Sequence, residues 1–508
     1  MAVTNGGLLG ISATLAFWTP LATVAYILIT FIYNVFFHPL RSYPGPLLWR
    51  ATRIPYHIKV LSGTLAIDML DMHKKYGPVV RIAPDELSFT DFSAWKEILG
   101  HNPKGEECGK WVPFYRPVPE APDNIISADR QKHGIIRRQL AHGFSDRSMR
   151  EQEPIIKSYV DLLFRRLHEN CAGGAKPLDM TAWYNFTTFD VIGDLALGES
   201  FGCLEQSNWH SWVETIFFLT KAGAYMQTAA HYPTITNLLL KMVPKRLMAS
   251  HEQHGVFTHN RVAKRMELGK VRHDLMEGLL MKQEDWSLTR YTQQMPQADI
   301  ESHASLLIVA GSETTATLLS GCTFLLLNNP DALDRLTQEV RSTFKEESEI
   351  TINSAGQLQY MLACLDEALR CYPPVPIGNP RVVPKGGRTL CGHYVPEDTH
   401  VAIWQWATFH SEDNFVEPFK YHPERWLNDD NPKFANDKKE AMQPFSFGPR
   451  NCIGRNLAYA EMRTIMARLV FNFDLKLAPE SQGWLDQKIY NLWQKPPLMV
   501  HLTPRAQK

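Results

Sequence analysis

No charged side chain occurs between residues 1 and 37, and from Leu8 onward the run is almost wholly apolar, broken by Thr19-Pro20 and Asn34. Such a run has few ways to fold. Inside lipid its backbone N–H and C=O groups must be satisfied within the segment, which means a helix, and about 20 apolar residues suffice to span the hydrocarbon layer. A cleaved secretory leader would want a basic start, a shorter apolar core and a small-residue cleavage site. The expectation is an uncleaved anchor over residues 1–40 that crosses the membrane once. Arg41, Arg50 and Arg53 follow it closely, and the positive-inside tendency puts the next domain on the cytoplasmic side and the amino terminus in the lumen.

Residues 41–508 are expected to form one large domain, because no Gly/Ser-rich linker and no internal repeat divides them. Hydrophobic residues make up 44% of the chain and charged residues 21%, which allows a sizeable core and argues against disorder. Lys plus Arg balance Asp plus Glu at 53 each, so no charge excess points to nucleic acid as a partner. The eight cysteines (Cys108, Cys171, Cys203, Cys322, Cys364, Cys371, Cys391 and Cys452) are scattered, with no C-x-x-C pair for zinc or dithiol chemistry. A chain of this size needs no disulfide staples, and they read as mostly buried thiols in a reducing compartment.

Stretches 155–167, 299–327, 358–371 and 456–471 carry apolar residues at helical spacing. Val79-Val80-Arg81-Ile82 and Leu87-Ser88-Phe89 flank the turn residues Ala83-Pro84-Asp85, which predicts a hairpin. Strands look few otherwise. Tyr43-Pro44-Gly45-Pro46 cannot continue a helix and reads as a stiff hinge after the anchor. The sequon-like Asn185-Phe186-Thr187 lies in a helical stretch on the cytoplasmic side and is expected to stay unglycosylated.

Phe445-Ser446-Phe447-Gly448-Pro449-Arg450-Asn451-Cys452-Ile453-Gly454 sets one cysteine in a Gly/Pro loop just ahead of a helix. A helix N-terminus and nearby backbone donors favour a thiolate there. The stretch resembles the haem-binding signature of the cytochrome P-450 family, F-x-x-G-x-R-x-C-x-G, at every defined position. The resemblance implies haem b as cofactor, Cys452 as the axial ligand to its iron and Arg450 as a partner of a haem propionate. Glycines at 448 and 454 would let the backbone approach a flat macrocycle.

Other motifs agree with the resemblance in family order. Glu367-Ala368-Leu369-Arg370 matches E-x-x-R, with the two charges on one helix face. Phe419-Lys420-Tyr421-His422-Pro423-Glu424-Arg425-Trp426 looks like the meander, where Arg425 would complete a buried, structural Glu-Arg-Arg cluster. His133-Gly134-Ile135-Ile136-Arg137-Arg138 resembles the C-helix element, which carries Arg137 over as a propionate contact and leaves His133 evenly open between haem and helix surface. Arg381, after Asn379-Pro380, sits where the family places another propionate arginine. Leu306 to Thr315 resembles the distal A/G-G-x-D/E-T motif. Small residues at 310 and 311 would leave room for dioxygen and water, while Glu313 and Thr314 would be the catalytic pair of a proton relay. Thr315 is the weaker relay candidate, and back-bonding of hydroxyls within the helix is the plainer reading of the cluster.

The resemblance runs from Tyr43 to the C-terminus. It implies a mainly α cytochrome P-450 prism fold with small β-sheets, preceded by the single transmembrane helix. The activity implied is a monooxygenase that oxidises, and most simply hydroxylates, a lipophilic small molecule, most like fungal members of secondary metabolite biosynthesis. No dinucleotide fingerprint and no length for a flavin module remain, so electrons would come from NADPH through a separate flavoprotein reductase, with cytochrome b5 as a second donor. Basic residues near the loop, including Arg455 and Arg463, offer such a donor a charged face. The location implied is the endoplasmic reticulum membrane. Phe114, Tyr115, Phe217, Phe218, Ile377 and Tyr490 are candidates to line the pocket, and equally candidates for core. The alternatives are a haem-thiolate isomerase or dehydratase that needs no external electrons, or a haem-binding protein without turnover.

Overall fold

The computed structural model describes residues 5–102, 107–118, 120–210, 221–234, 236, 245–267, 272–280, 295–427 and 431–505, with backbone alone over 5–17 and 245–254. Phe217 and Phe218 lie outside the described residues. Helices dominate and the sheets are small, as the sequence predicts. The longest helix within the body, Gln297–Leu327, is apolar on all sides. A helix of that kind has to be buried all round. Its main neighbour is the helix Met180–Leu197, in which every residue but Asp194 is buried. Asn185 is among them at 1% exposed, so the folded core has no room for a glycan there.

The helices used below are α1 (Asn5–Ile32), α2 (Leu47–Ala51), α3 (Arg130–Ala141), α4 (Asp146–Asn170), α5 (Met180–Leu197), α6 (Gln297–Leu327), α7 (Gln359–Cys371) and α8 (Arg455–Asn472). The buried faces of α2 to α8 join in one hydrophobic cluster that includes Leu163 of α4, Phe189 of α5, Leu319 of α6, Leu365 of α7 and Ile465 of α8. The predicted hairpin is present as β1 (Val79–Ala83) and β2 (Glu86–Phe89), antiparallel, with Val79 opposite Phe89. It is extended by β3 (Gly109–Lys110), β4 (Arg381–Val382) and β5 (His400–Ile403) into a sheet of order β1-β2-β5-β4-β3. β2 and β5 run parallel, and the other pairs are antiparallel. A second, smaller cluster lies at this sheet, built from Val79, Leu87, Phe89, Val401 and Ile403 with Leu40 and Phe409.

α1 runs on through a π-helical turn at Tyr33–Phe37 and leaves its large apolar side chains, such as Leu21, Tyr26 and Ile29, exposed. The span Trp18–Phe37 has a mean hydropathy of 1.8 and is long and apolar enough to cross a membrane. Its junction with the body differs from the predicted hinge. Asn34 Nδ2 donates to the Ala51 carbonyl at 2.9 Å, and Arg50 Nη2 donates to the carbonyls of Val35 and Arg41 at 3.3 and 2.9 Å. Arg81 N donates to Pro44 O at 2.7 Å, and a Cβ on Gly45 would stand 2.2 Å from Arg81 O. The Pro-Gly-Pro segment is thus a tight seam against β1, and the proline stiffness that suggested a hinge serves to hold the chain in that seam.

Candidate active site

The cysteine loop is built by two close approaches. Cys452 N donates to Phe445 O at 2.8 Å, which closes the loop. Gly448 has φ +76, and a Cβ there would lie 2.0 Å from the Leu99 carbonyl, so both the conformation and the packing demand glycine. A Cβ on Gly454 would meet nothing closer than Cys452 Sγ at 3.9 Å. That leaves approach to a ligand, and not packing within the protein, as the use of its small size. α8 begins at Arg455, and the Gly454 N–H faces the sulfur. Six of the other cysteines are buried and Cys391 is half-buried, whereas Cys452 is exposed, and none is in a disulfide. Surrounding protein pushes the Cys452 thiol up, while the Gly454 N–H and then Arg137 and Arg455 act in the opposite direction. A bound metal cation deprotonates such a thiol outright.

Arg137 donates to Asn451 O at 2.6 Å and also to Asn451 Oδ1. The structure therefore ties this arginine to the residue before Cys452. The remaining cations gather beside it. Lys110 and Arg381 stand directly opposite each other on β3 and β4, a cross-strand pairing of like charges that is unfavourable by itself. Arg381 is 8% exposed and its Nε has no hydrogen-bond partner. Arg450 donates to Ala128 O at 3.1 Å and lies 3.5 Å from Glu107. Burial, followed by Arg450 and Arg381, pushes Lys110 down to about 7. Burial, followed by Arg450, Lys110, Arg137 and Arg381, pushes His133 down to about 3, so this histidine faces the cations as a neutral ring and not the helix surface. Glu107 opposes the shifts of both Lys110 and Arg450 but is a single acid among several cations. Cations crowded this way favour a bound dianion, and the two propionates of haem fit that requirement.

On α6, Ala310 is exposed and Gly311 and Thr314 are half-exposed, an open patch in the middle of an otherwise buried helix. Thr314 Oγ1 donates to Ala310 O at 2.7 Å and Ser312 Oγ to Ile308 O at 2.6 Å, the back-bonding expected of hydroxyls in a helix. A Cβ on Gly311 would fall 2.7 Å from Ile192 Cδ1 of α5, so this half-exposed glycine also lets α5 and α6 approach. Glu313 does not share the patch with Thr314. It is buried and ion-paired with Lys495. Thr315 is buried toward α8, where it acts on Glu461.

The sequence model of the cytochrome P450 family matches residues 43–502. A cytochrome P450 monooxygenase of Talaromyces stipitatus is 48% identical over 486 residues, 95% of this chain and 93% of that protein. The trichothecene C-15 hydroxylase of Fusarium sporotrichioides is 46% identical over 485 residues, with 95% and 96% covered. The averantin hydroxylase of Dothistroma septosporum is 45% identical over 490 residues, with 96% and 90% covered.

The chain belongs to the cytochrome P450 family. As a P450 it is a haem-thiolate monooxygenase, an oxidoreductase that works with a redox partner and a small-molecule substrate. The P450 frame also explains the buried charges behind the cysteine loop. Arg370 clasps Glu367 through Nε and Nη2 at 2.9 and 2.7 Å, and Arg425 Nε reaches the same carboxylate at 3.2 Å. The Trp426 indole and the His422 N–H add two more donors, at 2.8 and 3.0 Å. Burial alone would raise Glu367, yet the arginines outweigh it and hold the acid below its ordinary value. Asp437, which the sequence reading missed, pairs with Arg425 and makes two acids for two guanidiniums.

A cavity is lined by Tyr56, Trp111, Phe114, Ile377, Trp404 and Tyr490 among others. Phe114, Ile377 and Tyr490 were candidates from sequence. Tyr115 was too, but its hydroxyl donates to Pro380 O at 3.1 Å and its ring lies under Lys110 and Arg381, so it belongs to the cation cluster.

Proposed function

We propose that this P450 is anchored by α1 in the endoplasmic reticulum membrane, with residues 41–508 as a catalytic domain on the cytoplasmic side. It takes electrons from NADPH through a separate flavoprotein reductase, with cytochrome b5 as a supplementary donor, and hydroxylates a lipophilic intermediate of fungal secondary metabolism. The observation that carries the residue roles is a pair of contrasts: on α6 Thr314 is open while Glu313 and Thr315 are buried, and Cys452 is exposed while the other cysteines are buried or half-buried. The hydroxylase names of two relatives support the reaction, and a cavity wall that is mainly aromatic and aliphatic, with Glu86, Gln227, His231 and Asn491 among its polar members, supports a largely lipophilic substrate.

Haem, when bound, supplies the electron-rich iron that binds dioxygen and cleaves it, helped by the thiolate. The protein's part is placement and protons. Cys452 would ligate the iron, with Arg137 bracing the loop through Asn451. Arg381, Arg450 and Lys110 would hold the propionates, with His133 as a neutral neighbour. Ala310 would keep the distal side clear. Thr314 would hold a water by its hydroxyl so that a proton reaches the oxygen that must leave, and Glu313 would supply that proton from behind the helix.

The deciding experiment is coexpression with a reductase and comparison of all metabolites with and without the chain. A new oxidised product is expected, together with a thiolate-type ferrous carbonyl spectrum that Cys452→Ala lacks. An unchanged spectrum in Cys452→Ala would remove the assignment of the ligand.

A further inference from the structure

The acid of α6 has a partner that nothing in its own helix predicts. The side chains of Glu313 and Lys495 are 4% and 3% exposed, and Lys495 Nζ contacts Glu313 Oε1 while donating to Thr317 Oγ1 at 2.7 Å. Glu313 Oε2 is buried and has no hydrogen-bond partner. Thr317 comes from the next turn of α6. Tyr372, just past α7, also feels the Glu313 charge, and its own hydroxyl donates to Gln487 Oε1 at 2.7 Å. Burial pushes Glu313 up, and Lys495 and then Thr317 pull it back. Lys495 is presented by an anchored segment, since the next residue, Pro496, accepts through its carbonyl from Trp484 Nε1 at 2.9 Å and from Thr181 Oγ1 at 3.3 Å. A buried ion pair is seldom more stabilising than an apolar pair of the same volume, so stability alone is a weak reason for it.

Building on the relay reading above, we propose that Lys495 is a positioning residue for proton delivery, which keeps Glu313 ionised and gripped by one oxygen so that the other can carry the proton. The proton is taken up on Oε2 and leaves from it toward Thr314. Glu313 returns to the carboxylate, and Lys495 keeps its own proton throughout. Without the lysine, only Thr317 opposes burial, and Glu313 holds its proton more tightly and gives it up less readily.

Lys495→Met removes the charge and keeps most of the stem. Infrared difference spectra of the holoprotein at neutral pH should show a carboxylic acid carbonyl band in Lys495→Met that is absent from wild type and from the double variant Lys495→Met/Glu313→Gln. With purified reductase, NADPH and dioxygen as the only reactants, wild type and Lys495→Arg should release the same share of electrons as hydrogen peroxide from about pH 6.5 to about pH 8.5. Lys495→Met should release severalfold more than either across that range, because its Glu313 is the weaker proton donor throughout. Absence of the acid band, or a peroxide share in Lys495→Met no higher than wild type, overturns the proposal. Glu313→Gln separates the two readings. If it releases no more peroxide than wild type, the relay itself fails; if it does release more while Lys495→Met behaves as wild type, only the role of Lys495 fails. Should Lys495→Met not retain haem, Lys495→Gln keeps a donor without charge and is held to the same two outcomes.

Discussion

Thr314 and Thr315 are neighbours in the chain, but a helix turns about 100° per residue, and the structure sends them to different places. Thr314 stands in the open patch, and Thr315 is buried beside Glu461 of α8. Thr314→Ala should keep the thiolate carbonyl spectrum while lowering product per NADPH and raising peroxide, on the order of a hundredfold in the productive rate where water does not replace the hydroxyl. Thr315→Ala should stay coupled, and the reverse result would assign the relay to the other threonine. Glu461 carries a second prediction. Both of its carboxylate oxygens lack a hydrogen-bond partner, and burial pushes it up to about 8, opposed only by Thr315. The folded state therefore keeps a proton that the unfolded state loses near the ordinary carboxylate value. Stability from this group falls as pH rises from about 4.5 to about 8. Glu461→Gln should remove that slope and stabilise the holoprotein by on the order of a few kcal/mol at the alkaline end, with little gain in acid. Melting of both proteins across this range decides it, and a gap that widens toward acid would be the wrong sign.

Elements explain which residues could be read in advance. The cysteine loop, the E-x-x-R helix and the β1–β2 hairpin are local, so spacing and turn chemistry in one short stretch specify them. Lys110, Asp437 and Lys495 carried no such signal. Each acquires its role from a partner outside its own element: Lys110 from its register opposite Arg381, Asp437 from Arg425 in a buried cluster, and Lys495 from Glu313 on α6. A second use of Gly311, its close approach to Ile192 of another helix, was hidden for the same reason. The charge cluster behind the loop is where an element-scale test belongs. Arg425→Ala would leave Glu367 short of one donor and Asp437 without its cation, both fully buried. Breaking a buried pair from one side costs about 3–5 kcal/mol, and little haem-bound protein should accumulate. Normal yield and melting would show that the cluster is dispensable.

At the scale of the whole molecule, the body and α1 answer to different solvents. The body has a continuous core, while α1 keeps its apolar side chains outside it. Deleting residues 1–40 should release the protein from membranes in part, because Leu47, Leu48, Ile54 and Ile58 remain exposed beside the cut. Fractionation that shows wholly unchanged membrane binding would remove α1 as the anchor. The joint between the two parts has a mechanical result as well. Asn34, Arg50 and the close approach of Gly45 to β1 tie the stem to the body, so on the proposed anchoring a tilt of α1 in the bilayer would carry the whole enzyme with it. A body mounted in that way would turn one side toward the lipid surface and leave the opposite side to whatever approaches from the water.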